Sequence, residues 1–338
     1  MIISTKRGTP QAELERIIRE FEAQGLSVTM IRGTDYNVFG LVGDTTVLDE
    51  KRIRANPYVE NVQRVSEPYK KANRLFHEAD SVIDVAGVKV GGKEKIAVIG
   101  GPCSVEGKEQ VVRIAEKVKA AGGTMLRGGA YKPRTSPYAF QGMEDEGYRL
   151  LRRAADATGL KVISEVVSHD QIDLAGKYCD MLQVGARNMQ NFRLLREIGK
   201  SGIPVLLKRG IASTVEEWLD AAEYIMSEGN YNVVLCERGI RTFETATRNT
   251  LDVSAVPVVR ERSSLPVLID PSHAAGKARY VEPLALAGIA AGADGLIIEV
   301  HPNPKVAMSD AAQQLTIPDY GRLVQRAGAV AQALGRTL

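Results

Sequence analysis

From Lys95 onward, short apolar runs alternate with longer amphipathic stretches. The runs read KIAVIGGPCS, TMLRGGAY, KVISEV, MLQVGA, PVLLKRG, NVVLCERG, PVLIDPSH and GLIIEVH. Each has the length of a strand, and segments such as VEGKEQVVRIAEKVKAAG and TVEEWLDAAEYIMSEG between them carry helical spacing and close near a glycine. Eight such strand–helix alternations predict a (β/α)8 TIM barrel in preference to an open doubly wound sheet.

The first part of the chain has a different rhythm. MIISTK reads as strand, QAELERIIREFEAQ as amphipathic helix, SVTMIR and NVFGLVG as strands, LDEKRIRA as a short helix and VENVQRV as a last strand. That β-α-β-β-α-β order predicts a small ferredoxin-like α+β domain over residues 1–66. The polar segment SEPYKKANRLFHEADS predicts a linker over residues 67–82, and the barrel domain follows over residues 83–338. It begins with a hairpin, IDVAGVKVGGKEK, whose turn is expected at Gly91 and Gly92.

Composition narrows the partners. The chain has 338 residues, is 44% hydrophobic and carries a formal charge of +3, too little to imply nucleic acid or a membrane surface. The ferredoxin-like segment also lacks the aromatic signature of an RNA-recognition motif. MIISTKRGTP has no apolar signal core and no run approaches a bilayer span, so a cytoplasmic protein is expected. Cys103, Cys179 and Cys236 are odd in number and far apart, and free thiols are expected.

Chemistry in a TIM barrel gathers at the C-terminal ends of the strands. Every apolar run is followed by a candidate: Cys103, then Arg127 and Lys132, Glu165, Ala186 and Arg187, Lys208, Glu237 and Arg238, Asp270 and His273, and Glu299 and His301. Cys103, His273, Glu299 and, in the last loop, Asp310 offer sulfur, nitrogen and oxygen donors suited to a divalent transition metal. Taken singly, Cys103 also suits a buried filler and His273 a hydrogen-bonded structural residue. Arg127, Lys132, Arg187, Lys208 and Arg238 make a ring of cations suited to a substrate with several negative groups. The loop RGGAYKPRTSPYAFQG adds Arg134 with no acid beside it, which fits either an anion site or a solvated basic turn.

Together GPCSVE, LRGGAYKPRTSPYAFQG, GARNMQNF, LLKRG, CERGIRTFE, DPSH and EVHPNP resemble the 3-deoxy-D-arabino-heptulosonate-7-phosphate (DAHP) synthases, in the short metal-dependent class with an N-terminal ferredoxin-like domain. The resemblance implies condensation of phosphoenolpyruvate with erythrose 4-phosphate, the first step of the shikimate pathway. It makes Cys103, His273, Glu299 and Asp310 the ligands of one divalent ion such as manganese, iron or zinc. Arg127, Lys132, Arg187, Lys208, Arg238 and the backbone N–H of Ala186 hold phosphoenolpyruvate. Lys132, Pro133, Arg134, Thr135 and Ser136 line the place of erythrose 4-phosphate, Glu165 positions a water, and Lys132 is the proton donor. The chain departs from many relatives in carrying Ala274 and Ala275 after DPSH, neither of which supplies a metal ligand.

The nearest alternative is 3-deoxy-D-manno-octulosonate-8-phosphate (KDO8P) synthase, whose members typically show KANRTS where this chain shows KPRTS. Pro133 therefore favours the shorter sugar. A non-catalytic phosphometabolite sensor is the other alternative, set against the presence of all four candidate ligands. A homo-oligomer, a tetramer, is expected, with tyrosine or phenylalanine as effector of the N-terminal domain. A chain beginning near Ala72 should stay active and lose that inhibition.

Overall fold

Strands β1 (Ile2–Thr5), β2 (Ser27–Arg32), β3 (Asn37–Val42) and β4 (Val59–Gln63), with helices α1 (Gln11–Glu22) and α2 (Glu50–Arg54), follow the order read from the sequence. The strands form an antiparallel sheet in the order β2-β3-β1-β4, as in a ferredoxin-like unit. Alternation sorts its faces: Ile3, Phe39 and Val62 pack with Leu14, Ile17 and Phe21 of α1, while Ile2 and Val38 meet Phe76 on the other side.

The structure, a computed structural model, describes all residues except 34–35, 46–47, 65–67, 93, 134–135 and 137. The chain divides into a first unit, Met1–Ala79 with Arg262–Ser264, and a second, Asp80–Glu261 with Leu265–Leu338. The expected boundary at residue 66 lies outside the described residues, as do Arg134 and Thr135. Among the described residues, no helix is long and apolar enough to cross a membrane.

The second unit opens with the hairpin β5 (Val82–Val85) and β6 (Val88–Gly91). Its turn is at Ala86–Gly87, not at Gly91–Gly92 as the glycine pair suggested. Both turn residues have positive φ, 48° and 97°, and the Asp84 carboxylate accepts from Gly87 N at 2.6 Å. That is the backbone a two-residue hairpin loop demands.

Eight parallel strands then close a barrel: β7 (Ala97–Gly101), β8 (Met125–Arg127), β9 (Lys161–Glu165), β10 (Met181–Val184), β11 (Val205–Lys208), β12 (Val233–Glu237), β13 (Val267–Ile269) and β14 (Gly295–Glu299). β14 pairs back onto β7, with Glu299 opposite Gly101. The helices are α3 (Lys108–Ala120), α4 (Glu144–Thr158), α5 (Ile172–Tyr178), α6 (Phe192–Lys200), α7 (Val215–Ser227), α8 (Ala255–Arg262), α9 (Pro271–Ala275), α10 (Ala278–Ala290) and α11 (Ile317–Ala333). Inside, Ile99, Met125, Ile163, Leu206, Val234, Leu268 and Ile297 form one cluster with Ile83, Val85 and Val90 of the hairpin. The hairpin thus stoppers the N-terminal end, and the strands' polar ends face the opposite, open one.

Candidate active site

Glu165, Lys208, Glu237 and Glu299 are each the last residue of a barrel strand, and Cys103 lies two residues past the end of β7. A cavity of about 890 Å³ occupies this end of the barrel. Its wall includes Lys132, Glu165, Arg187, Lys208, Arg238 and His273.

The metal candidates converge. A sulfur of Cys103 and carboxylate oxygens of Glu299 and Asp310 lie within 4.8 Å of one another. His273 Nε2 stands 3.4 Å from Glu299 and 3.9 Å from Asp310. Local sequence explains the pose of His273: Asp270 caps the short helix α9, accepting His273 N at 3.0 Å and contacting its Nδ1 at 2.7 Å. Burial opposes ionisation of Asp270, but His273 and Lys208 together hold it well below the usual carboxylate range. With Asp270 ionised, the ring proton belongs on Nδ1. Burial lowers the His273 pKa, against the pull of Asp270, and with Nδ1 turned to Asp270 the Nε2 atom faces the cluster.

The acids are poised as ligands too. Burial raises the Glu299 pKa, yet His273, Arg127 and Lys132 outweigh it and bring the value to about 2. Asp310 is held low as well: burial and Glu299 push it up, and Arg248 and His273 more than offset them. Burial, then the Glu299 charge, pushes the Cys103 thiol up to about 11. Lys132 approaches its sulfur to 3.2 Å, across Gly129, where a Cβ would sit 2.7 Å from the lysine Cδ. A divalent cation would favour the thiolate, and the mixed donor set of this cluster fits such an ion.

Some cations of the ring also have protein partners. Arg127 Nη1 bonds Glu299 at 2.7 Å and the Pro102 carbonyl at 2.8 Å, and Arg127 is not among the residues lining the cavity. Lys208 pairs with Asp270 at 2.5 Å. Barrel closure brings these strand-end acids beside the cations, so two members of the ring have protein counter-ions. Arg238 differs: it is buried, its Nη1 has no hydrogen-bond partner, and burial lowers its pKa. A buried guanidinium nitrogen without a partner at the cavity wall calls for an anion.

Ala186, Pro133 and Ser136 also line the cavity. Glu165 is held by Gln183 Nε2 at 3.0 Å. Sequence reading missed Arg241 and Arg248 on the wall. Arg248 Nη1 donates to Asp310 and to Gln313 Oε1, both at 3.0 Å, and Gln313 Nε2 donates to Glu299 at 2.6 Å. The signal available was the long, arginine-bearing stretch GIRTFETATRN directly after Arg238. Cys103, Cys179 and Cys236 are buried and unbridged, and Cys236 belongs to the central barrel cluster.

A model of the DAHP synthetase I family matches residues 28–333. The phospho-2-dehydro-3-deoxyheptonate aldolase of Thermotoga maritima is 46% identical over 335 residues, covering 99% of both chains. A crystal structure of the Thermotoga maritima phospho-2-dehydro-3-deoxyheptonate aldolase (DAHP synthase) matches with a TM-score of 0.79, over 99% of this chain and 98% of that one, at 46% identity. A truncated form of the 3-deoxy-D-arabino-heptulosonate 7-phosphate synthase from the same organism matches at 0.73 and 48% identity, over 78% of this chain and 97% of that one. The 2-dehydro-3-deoxyphosphooctonate aldolase of Geobacter sulfurreducens is 29% identical over 268 residues, 73% of this chain and 97% of its own length.

Proposed function

This chain belongs to the DAHP synthetase I family, and from that premise we propose that it condenses phosphoenolpyruvate with D-erythrose 4-phosphate and water, giving 3-deoxy-D-arabino-heptulosonate 7-phosphate and phosphate. The observation that carries the site assignment is the buried, unpartnered Nη1 of Arg238 in a polar cavity that also meets a mixed sulfur, nitrogen and oxygen donor cluster. The residues divide the work by position. Arg238, Arg187 and Lys208, with the N–H of Ala186, bind the phosphate and carboxylate of phosphoenolpyruvate, and Arg127 supports them from behind through Glu299. Pro133 and Ser136 shape the place of the sugar phosphate, and Arg134 and Thr135, which lie outside the described residues, are assigned to it by the family resemblance alone.

Cys103, His273, Glu299 and Asp310 would hold a divalent ion, which supplies Lewis acidity toward an aldehyde oxygen. The enol carbon then attacks the aldehyde carbon, a water held by Glu165 adds at the adjoining carbon, and the resulting hemiketal loses phosphate. Burial lowers the Lys132 pKa, but Cys103 and Glu299 reverse the shift, so the lysine is protonated and able to give its proton to the new hydroxyl. The phosphate-release assay with each sugar tests the assignment. Erythrose 4-phosphate is expected to exceed arabinose 5-phosphate by about tenfold or more in kcat/KM. Equal or better turnover of arabinose 5-phosphate would reverse it.

The N-terminal unit has no proposed catalytic residue, which supports a regulatory role for it, and we propose tyrosine or phenylalanine as its effector, in a cytoplasmic homo-oligomer, a tetramer. Ala72 is buried and belongs to the first unit, so the informative cut is at Asp80 rather than near Ala72. A chain starting there should condense both substrates at a rate within about threefold of the full chain and lose the amino-acid inhibition. Inhibition retained at the same concentration would place the sensor in the barrel.

A further inference from the structure

Behind the cavity, a second polar cluster ties together the segments that carry the candidate metal ligands. We propose that Glu106 is a positioning residue that sets the spacing of Cys103, Glu299 and Asp310, an inference that rests on the metal-dependent reading above. One carboxylate oxygen lies 3.2 Å from His301 Nε2, two residues beyond Glu299. The other accepts Met308 N at 2.9 Å, two residues before Asp310, and the Ser104 hydroxyl at 3.2 Å, beside Cys103. Ser104 Oγ is in turn 2.9 Å from Ser309 Oγ. One side chain thus joins the exits of β7 and β14 to the following loop.

Protonation in this cluster follows from its geometry. His301 Nδ1 accepts Asn303 N at 3.0 Å, so the ring proton sits on Nε2 and is donated to Glu106. Glu106 therefore receives donors on both oxygens. An amide of the same shape would turn its NH2 toward one of those donors, whichever way it flipped. The side chains of His301 and Glu106 are only 5% and 11% exposed, so water cannot readily repair such a clash.

The loop held in this way needs holding. Asp310 has φ of 47°, a left-handed conformation unusual for a residue other than glycine and kept where the surroundings over-determine it. Gln314 adds to the restraint, donating to the Ser309 carbonyl at 2.9 Å and accepting Cys103 N at 3.1 Å. Neither Glu106 nor His301 lines the cavity, so neither is placed to touch substrate, and both act through the groups they orient.

The test is Glu106→Gln in the full-length protein, with manganese and zinc dissociation constants measured by chelator competition. They should rise about 10- to 100-fold, as when a ligand's supporting hydrogen bonds are lost, with KM for phosphoenolpyruvate at saturating metal within about twofold of the parent. Glu106→Asp, which keeps both acceptors, should recover part of the affinity. If Glu106→Gln fails to fold, Ser309→Ala removes one link of the same chain and should weaken metal binding in the same direction. A folded Glu106→Gln protein, or Ser309→Ala in its place, that binds both ions as tightly as the parent overturns the proposal. A parent that binds neither ion overturns the metal-dependent reading itself, and with it this one.

Discussion

Removing divalent ions with a chelator should abolish condensation, and adding back manganese or zinc should restore it. The reason lies in the charges around Cys103. Without an ion, its thiol is pushed up to about 11, Glu299 and Asp310 are held low as carboxylates, and burial lowers the His273 pKa. None of these groups can polarise an aldehyde oxygen, and Lys132 is the cation beside the sulfur. Lewis-acid stabilisation worth several kcal/mol corresponds to a loss of at least about a hundredfold in rate. Phosphate release with both substrates is the readout, and full activity in demonstrably metal-free protein would remove the ion from the mechanism.

Arg127→Met should be strongly destabilising, and more so after chelation. Arg127 and Glu299 are paired at 2.7 Å, with side chains only 4% and 2% exposed. Removing the guanidinium leaves a buried carboxylate with its nearest counter-ion gone, a loss of roughly 3–5 kcal/mol. Methionine keeps much of the volume, so the effect reports charge more than packing. A bound divalent ion supplies another positive charge beside Glu299 and should return part of the loss. Denaturant unfolding of parent and variant, each with and without metal, measures both effects. A difference below about 1 kcal/mol in the chelated pair would mean that the buried ion pair does not support the fold.

Much of this architecture was legible because barrel strands announce themselves twice. Runs such as VLLK and GLIIE are wholly apolar until their last residue, and that residue is the candidate one, Lys208 or Glu299. The pairing of those residues was hidden. Arg127 and Glu299 stand 172 residues apart, and only the closure of β14 onto β7 brings their strand ends together. Arg248 was missed for a related reason: it sits in a loop with no periodicity, and its partner Asp310 follows in another loop 62 residues later. The hairpin turn was misplaced because two adjacent glycines are a louder signal than Ala86–Gly87, although Asp84 supplies the side-chain acceptor that stabilises the actual turn.

The hairpin at the foot of the barrel has a consequence for traffic. Ile83, Val85 and Val90 fill that end with hydrocarbon, so the chamber is a cul-de-sac with its opening at the strands' C-terminal ends. Two substrates and two products must share that doorway. Arg238 and Lys208 on the cavity wall are reached from that same side. Binding and release then compete for one passage, so product left in the chamber slows the next entry.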